Sequence, residues 1–373
     1  MTKKLKQLID KKVRRSDEPE RLGDEPVPRI TNKTVSDHRE EVLSGARKLI
    51  YPLQHPKRYI VLFSTILFVL AIVGFFTYST LALYRYQTTS NFMYRVTQVL
   101  PFPVARSGGM FIAYENYLFE LRHYIHYYES QQGIDFDTDV GSQQLDEFRR
   151  RALEKVINDA YIRRIAEEQG ISVSPQEIEE QIAMVQRQDR LGNSNEMFEA
   201  VLRDFFDWSV DDFRRNLKQQ LLAQKLVSAL DTETHETAQQ AYAALESGVD
   251  FSEGVAEYSQ DPATVEQGGE FGFDITRTSR DIAPRTVDAL FDLEEGEYSE
   301  VIDIGYALQV VRLLERDGDT VRAAHILLPL KDIDAYINEA KEREPVRVYI
   351  TLPEPDDDVE PLIEEEESLD PAN

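Results

Sequence analysis

Residues 307–328 read "ALQVVRLLERDGDTVRAAHILL". Two apolar runs alternate on either side of Asp317-Gly318-Asp319. Alternation at a period of two marks half-buried strands, and Asp-Gly between two such runs marks a hairpin. With Asp317–Asp319 as a three-residue loop and Gly318 left-handed, Gln309 faces Leu327 and Val311 faces His325. Gln309 and His325 then share a face at diagonal distance, about 7–8 Å between backbones. A strict two-residue loop would pair His325 with Val310 and turn Gln309 to the other face.

Working outward, the chain of 373 residues has room for two or three domains. It carries 68 Asp+Glu against 42 Lys+Arg, a net charge of −26, which argues against a nucleic-acid partner. The absence of cysteine excludes disulfides, thiolate metal sites and cysteine nucleophiles. No cofactor or metal is expected.

The segment Tyr59–Leu83, "YIVLFSTILFVLAIVGFFTYSTLAL", is uncharged throughout and long enough to cross a hydrocarbon core of about 30 Å. Tyrosine and phenylalanine gather near its outer half, as an interfacial belt requires. Arg47, Lys48, Lys57 and Arg58 precede it and the first residues are basic, so the N-terminus is expected in the cytoplasm, with residues 85–373 outside. Residues 1–46 are polar and mixed in charge. They read as mostly disordered, with room for one short helix.

Beyond the membrane segment the period becomes helical. Leu145, Phe148, Ala152, Val156 and Ala160 form one stripe, stopped by Gly170. Ser174, Pro175 and Glu177 form an N-cap, first-turn proline and capping box. Asn193 with Glu196, and Ser209 with Asp212, mark two further starts. Four helices with short polar joints predict a bundle, and its charges sit at solvent-face spacing.

The segment 99–121, "VLPFPVARSGGMFIAYENYLFEL", with the helices after it, resembles the N-terminal domain of SurA-like and PrsA-like chaperones over residues 99–230. Ser107 and Gly108 depart from the usual wording there. Residues 238–306 are similar to parvulin-type (PpiC-like) peptidyl-prolyl isomerases. Gly248, Phe251, Tyr258, Ser259 and Asp261 match in order, then Gly268, Gly269, Gly272, Phe273, Phe291, Gly296, Gly305 and Tyr306.

Parvulins open with a strand worded like "A-x-H-I-L". Here no such strand precedes Ala238, and the wording appears at 321–328 instead. The first and last strands of that sheet are neighbours, so a hairpin can set a late strand in the early strand's place. The domain is therefore expected to be circularly permuted. The other arrangement, a second isomerase repeat opening at Val321, has too little chain left to fold.

The resemblance implies an apolar slot for a proline ring beside two histidines and an Asp or Cys. Carried over residue by residue, the catalytic positions fall on His325, Asp261 and Gln309, with Gln309 where the second histidine is expected. The substrate-binding positions fall on Ile282, Phe291, Tyr258 and Phe273. Thr286 stands where a phenylalanine is usual.

The expected class is α+β. The expected parts are a basic cytoplasmic tail at 1–58 and a transmembrane helix at 59–84. A linker and helical chaperone domain follow at 85–235, then a parvulin-like domain at 236–352 with its first strand at 321–328, and an acidic disordered tail at 353–373. Two functions stay open. One is a membrane-anchored, extracytoplasmic prolyl isomerase acting on unfolded, proline-containing secreted chains. The other is an eroded domain that holds such chains without turnover. The bundle and the isomerase domain are expected to flank a shared apolar cleft.

Overall fold

The computed structural model describes residues 30–50, 56–187 and 194–353. The chain divides into two compact units, Met1–Phe76 and Thr77–Asn373. The expectations for residues 1–29 and for the acidic tail from 354 onward lie outside the described residues.

The first unit holds helix α1 (Asn32–Ile50), longer than the single short helix expected there, and the start of α2 (Pro56–Thr80). Among the described residues, α2 with its continuation, Arg58–Arg85, is the one helix long and apolar enough to cross a membrane, with a mean hydropathy of 2.7.

In the second unit α2 ends in a π-helical turn, Leu81–Arg85, closed by Tyr86 N–H donating to the Leu81 carbonyl at 3.0 Å. Ser79, Ala82 and Leu83 are buried. The Tyr114 hydroxyl donates to the Leu83 carbonyl at 2.6 Å, and that of Tyr84 to the Pro103 carbonyl at 2.6 Å. The end of the segment expected as transmembrane, 59–84, is thus packed as part of the folded unit.

A short helix α3 (Asn91–Val99) leads into the hairpin β1 (Pro103–Ser107) and β2 (Met110–Ala113). The bundle follows: α4 (Tyr114–Ser130), α5 (Asp139–Gln169), α6 (Pro175–Arg187), α7 (Asn195–Phe206) and α8 (Val210–Leu230). The caps are local and match their sequence signals. Gly170 stops α5 at φ +70°. Ser174 and Glu177 bond reciprocally, as do Ser209 and Asp212. Ser194, one residue after the expected Asn193, caps α7. Phe148, Tyr161, Phe213 and Leu217 fill the core between them.

Helices α9 (Thr232–Glu246) and α10 (Phe251–Tyr258) follow, then α11 (Pro284–Asp292). The second sheet runs β3 (Ile302–Asp303), β4 (Ala307–Asp317), β5 (Thr320–Pro329), in that spatial order and antiparallel. Leu308, Val310, Ala324, Ile326 and Leu328 face α9 and α10. Val311, Leu313, Val321 and Ala323 face α11.

The ladder has the expected register at its far end, Gln309 opposite Leu327 and Val311 opposite His325, by a different route. The loop has two residues, Gly318 and Asp319, with Asp317 paired to Thr320. Gly318 alone has positive φ, +58°, the pattern of a type II′ turn. The extra residue is Leu314, left out of the pairing between Leu313 and Glu315. A continuous ladder from the same turn would set Arg312 against His325 and flip Gln309 away.

The chain closes on itself. After β5, α12 (Ile333–Arg343) packs against α5, and β6 (Val346–Val348) pairs with β1, Ala105 opposite Val348. Ser107 and Tyr161 hydroxyls both donate to the Glu344 carbonyl, at 3.0 and 2.6 Å. A Cβ on Gly108 would meet the Glu344 carboxylate at 2.0 Å. The departure at Ser107–Gly108 is therefore the seat of the α12 terminus. Ile337, Ala340 and Ile350 join the bundle core, so the packing groups residues 333–352 with the bundle, not with the expected domain at 236–352.

The glycine loop is equally constrained. Gly269 lies at φ +83°, and its carbonyl accepts from His325 N–H at 2.8 Å. A Cβ there would stand 2.3 Å from the His325 carbonyl oxygen. Gly269→Ala is expected to destabilise the chain by at least about 2 kcal/mol through left-handed strain and collision. Urea unfolding of the purified variant checks this; an unchanged midpoint would refute the close approach.

Candidate functional site

The face of β4–β5 under α11 carries a chain of hydrogen bonds between residues distant in sequence. Thr286, on α11, donates its hydroxyl to Gln309 Oε1 at 2.6 Å. The Gln309 amide Nε2 donates to His325 Nδ1. His325 Nε2 then carries the proton and donates toward Asp261 Oδ2 at 2.8 Å, with Thr264 Oγ1 at 3.0 Å. Thr264 donates to the same Asp261 oxygen at 2.7 Å, and Ala263 N–H to the other at 3.0 Å. Thr286, Gln309 and His325 are buried.

Asp261 reaches this point because its loop is laced to β5. Gln260 N–H donates to the Leu327 carbonyl at 2.8 Å, and Leu327 N–H to Ser259 Oγ at 3.1 Å. Glycine pairing on the same edge brings Phe271 against β5, its N–H donating to the Ala323 carbonyl at 3.1 Å. The Phe271 ring lies 4.3 Å from the imidazole, centroid to centroid.

Burial disfavours a charged imidazole and holds His325 below its ordinary value of 6.5; Asp261 opposes this without reversing it. For Asp261, burial alone would raise the carboxyl. Bonds from Thr264, Ala263 N–H and His325 outweigh it and bring it below 3.8. At neutral pH the network holds a neutral histidine, tautomer set by Gln309, beside an ionised aspartate. It offers no activated nucleophile. It is a fixed set of dipoles, suited to a reaction that breaks no covalent bond.

The expected site residues divide. His325, Gln309 and Asp261 come together. Ile282 and Phe291 lie on the same side of the sheet but are buried in its core, Phe291 with the Arg277 guanidinium 4.3 Å over its ring. Phe273 is exposed at the rim, 6.1 Å from Phe271. Tyr258 ends α10 and is half-buried against the core on the face of the sheet that carries Val310 and Ile326. Thr264, Phe271 and the bonding of Thr286 were not read from the sequence. The pairing of two departures, Gln309 and Thr286, was the available signal.

Ile282 also lines a cavity of about 440 Å³ between the α6–α8 side of the bundle and the loops at 280–285 and 304–306. A second, of about 460 Å³, continues from it and shares Met184, Leu221 and Gln224. Arg280, Asp281 and Arg285 line it beside Met184, Leu221 and Tyr306, so the cleft is mixed in polarity where an apolar one was expected.

A helical bundle joined to a small sheet with this network on one face is the arrangement that the resemblance to SurA-like, PrsA-like and parvulin-type proteins implied. Comparison agrees. Residues 53–227 match the family model of the SurA-like N-terminal domain, and residues 221–315 that of the PPIC-type PPIase domain. The chain is SurA- and PrsA-like.

It is 28% identical over 232 residues to the chaperone SurA of Albidiferax ferrireducens, covering 48% of this chain and 50% of that one. It is 25% identical over 254 residues to the chaperone SurA of Methylobacillus flagellatus, covering 53% and 57%. Over 84 residues it is 33% identical to the foldase protein PrsA of Halalkalibacterium halodurans, covering 22% and 24%. The chain thus spans about half the length of these SurA relatives and a quarter of the PrsA relative. A crystal structure of the foldase PrsA from Streptococcus pneumoniae aligns with a TM-score of 0.17 and 18% identity, covering 52% of this chain and 75% of that one.

The lowered imidazole has a consequence for stability. Unfolded, His325 takes up a proton near 6.5; folded, it does so only at lower pH. Its contribution is complete above about 6.5 and is lost as pH falls below that value. The urea midpoint should fall between about pH 7.5 and 5.5, with a smaller fall in His325→Asn. Equal slopes in the two proteins would show that His325 is not held neutral.

Proposed function

We propose that this chain is a membrane-anchored folding factor. Its basic N-terminus lies in the cytoplasm, and its bundle and isomerase-type domain lie outside, acting on unfolded, proline-containing secreted chains. The observation that carries the isomerase reading is the Asp261–His325–Gln309–Thr286 network. Rotation about an X–Pro bond faces a barrier of about 18–20 kcal/mol and needs no covalent step. What lowers it is a desolvated site with fixed hydrogen-bond groups that favours the twisted amide over the planar one. Phe273 supplies exposed apolar surface near the network, and Ile282 and Phe291 are buried in the core on that side of the sheet.

Three observations support the arrangement. The PPIC-type match ends at residue 315, before β5, yet β5 supplies His325 to the face of β4 that carries Gln309. We read this as a circular permutation of the parvulin domain. The names of the relatives, chaperone and foldase, agree with action on unfolded polypeptides. The apolar helix ending at Arg85 supports a single-pass anchor.

A second reading is favoured by the cleft between the bundle and the 280–285 loop. It is lined by Ile282 but not by His325, Gln309 or Asp261, and it suits holding a chain without turnover. A refolding assay limited by proline isomerisation, run beside an aggregation assay with the full chain in detergent micelles, separates the two. Under the isomerase reading, His325→Ala lowers the catalysed refolding rate about tenfold or more and leaves suppression of aggregation intact. Gln309→His restores a second histidine and raises the rate. Suppression of aggregation with no acceleration by the wild-type chain would leave the holding reading alone.

A further inference from the structure

The apolar helix runs on along the chain to Arg85, into the first residues of the second unit. From Tyr59 to Tyr78 the helix already covers about 30 Å, the thickness of a hydrocarbon core. Of the residues that follow, Ser79, Ala82 and Leu83 are buried; the Tyr114 hydroxyl donates to the Leu83 carbonyl, and the Tyr84 hydroxyl to the Pro103 carbonyl. The last residues of the apolar helix are therefore packed within the second unit.

Helix α3 begins one short loop later, after Tyr86–Ser90. That loop is held as well: Ser90 caps α3, Thr88 N–H donates to the Ala82 carbonyl at 3.0 Å, and Arg122 donates to the Thr89 carbonyl at 2.8 Å. Met93 and Thr97 turn inward. The opposite stripe, Phe92, Arg95 and Val99, is exposed, Phe92 at 57% and Val99 at 80%. Tyr86, at 72%, and Arg85 stand exposed beside the end of the span.

Large apolar groups alternating with arginines, on a helix at the end of a span, are the composition of an interfacial element. Continuity of chain selects the occupant: α3 begins at Asn91, a short loop after the apolar helix ends at Arg85, so headgroups lie within its reach. We infer that α3 and Tyr86 form a docking surface for an anionic lipid bilayer. Phe92 and Val99 insert at the headgroup–acyl boundary, and Arg85 and Arg95 pair with lipid phosphates. The folded unit is then held in one orientation on the membrane. This inference rests on the membrane-anchored reading.

The chain has no cysteine, so single-cysteine spin labels need no background changes. The full chain is reconstituted in phosphatidylcholine vesicles containing a minority of phosphatidylglycerol. Labels are placed at Leu67→Cys, Phe92→Cys, Val99→Cys and Phe273→Cys. Collision with a water-soluble nickel chelate should be several-fold lower at 92 and 99 than at the exposed control 273, and lowest at 67. Arg85→Gln combined with Arg95→Gln should erase the added protection that phosphatidylglycerol gives over phosphatidylcholine alone. Lipid-shielded 67 with 92 and 99 as open as 273 overturns the docking surface and leaves the anchor standing. Free collision at 67 overturns both.

Discussion

The pairing of β4 with β5 is the constraint on which the isomerase-type half depends. One face of that ladder packs Val310 and Ile326 under α9 and α10; the other packs Val311 and Ala323 under α11. A slip of one residue would turn one strand over relative to the other, setting Gln309 and His325 on opposite faces and one of them among the apolar residues under α9 and α10. The unpaired Leu314 sets which of two registers forms. Core packing and site assembly are thus one decision, made at one bulge.

Within that register the polar groups satisfy one another. A buried amide or imidazole left unpaired costs about 1–3 kcal/mol, so an isolated Gln309 would be a liability in this core. Thr286 removes it by donating to the amide oxygen, which turns the amide nitrogen toward His325. Read separately, the glutamine looks like a lost histidine and the threonine like a lost apolar wall. Read together they are one hydrogen-bonded unit that presents a single imidazole tautomer to Asp261.

What was legible in the sequence was what local chemistry determines. The caps at Gly170, Ser174 and Ser209 lie within a few residues of what they satisfy, and all three stand where their signals put them. The hairpin was legible because Asp-Gly and alternation are local too. Loop length was not, since an extra residue at the turn and one at Leu314 give the same pairing beyond it. The side of the sheet that Tyr258 takes was not legible, because a helix-end side chain chooses it by packing, which no spacing reveals. The partner of β6 was illegible for the same reason: "VRV" says strand, and only the fold supplies β1. The burial of Ser79 and Leu83 was hidden inside an apolar run that reads uniformly as membrane.

The order in which these parts leave the ribosome carries a consequence. The bundle helices emerge first and can pack from local contacts. The β1–β2 hairpin must wait for its third strand, β6, which arrives almost a whole folded unit later. His325 emerges after every other member of its network. Contacts this distant along the chain are slow to form, because loop entropy is lost before they are rewarded. A chain interrupted before residue 325 would hold a complete set of bundle helices and an open sheet edge along β4. The isomerase-type site is therefore among the last features to mature, and a stalled or clipped product would leave the apolar side chains of β4 without their partner strand.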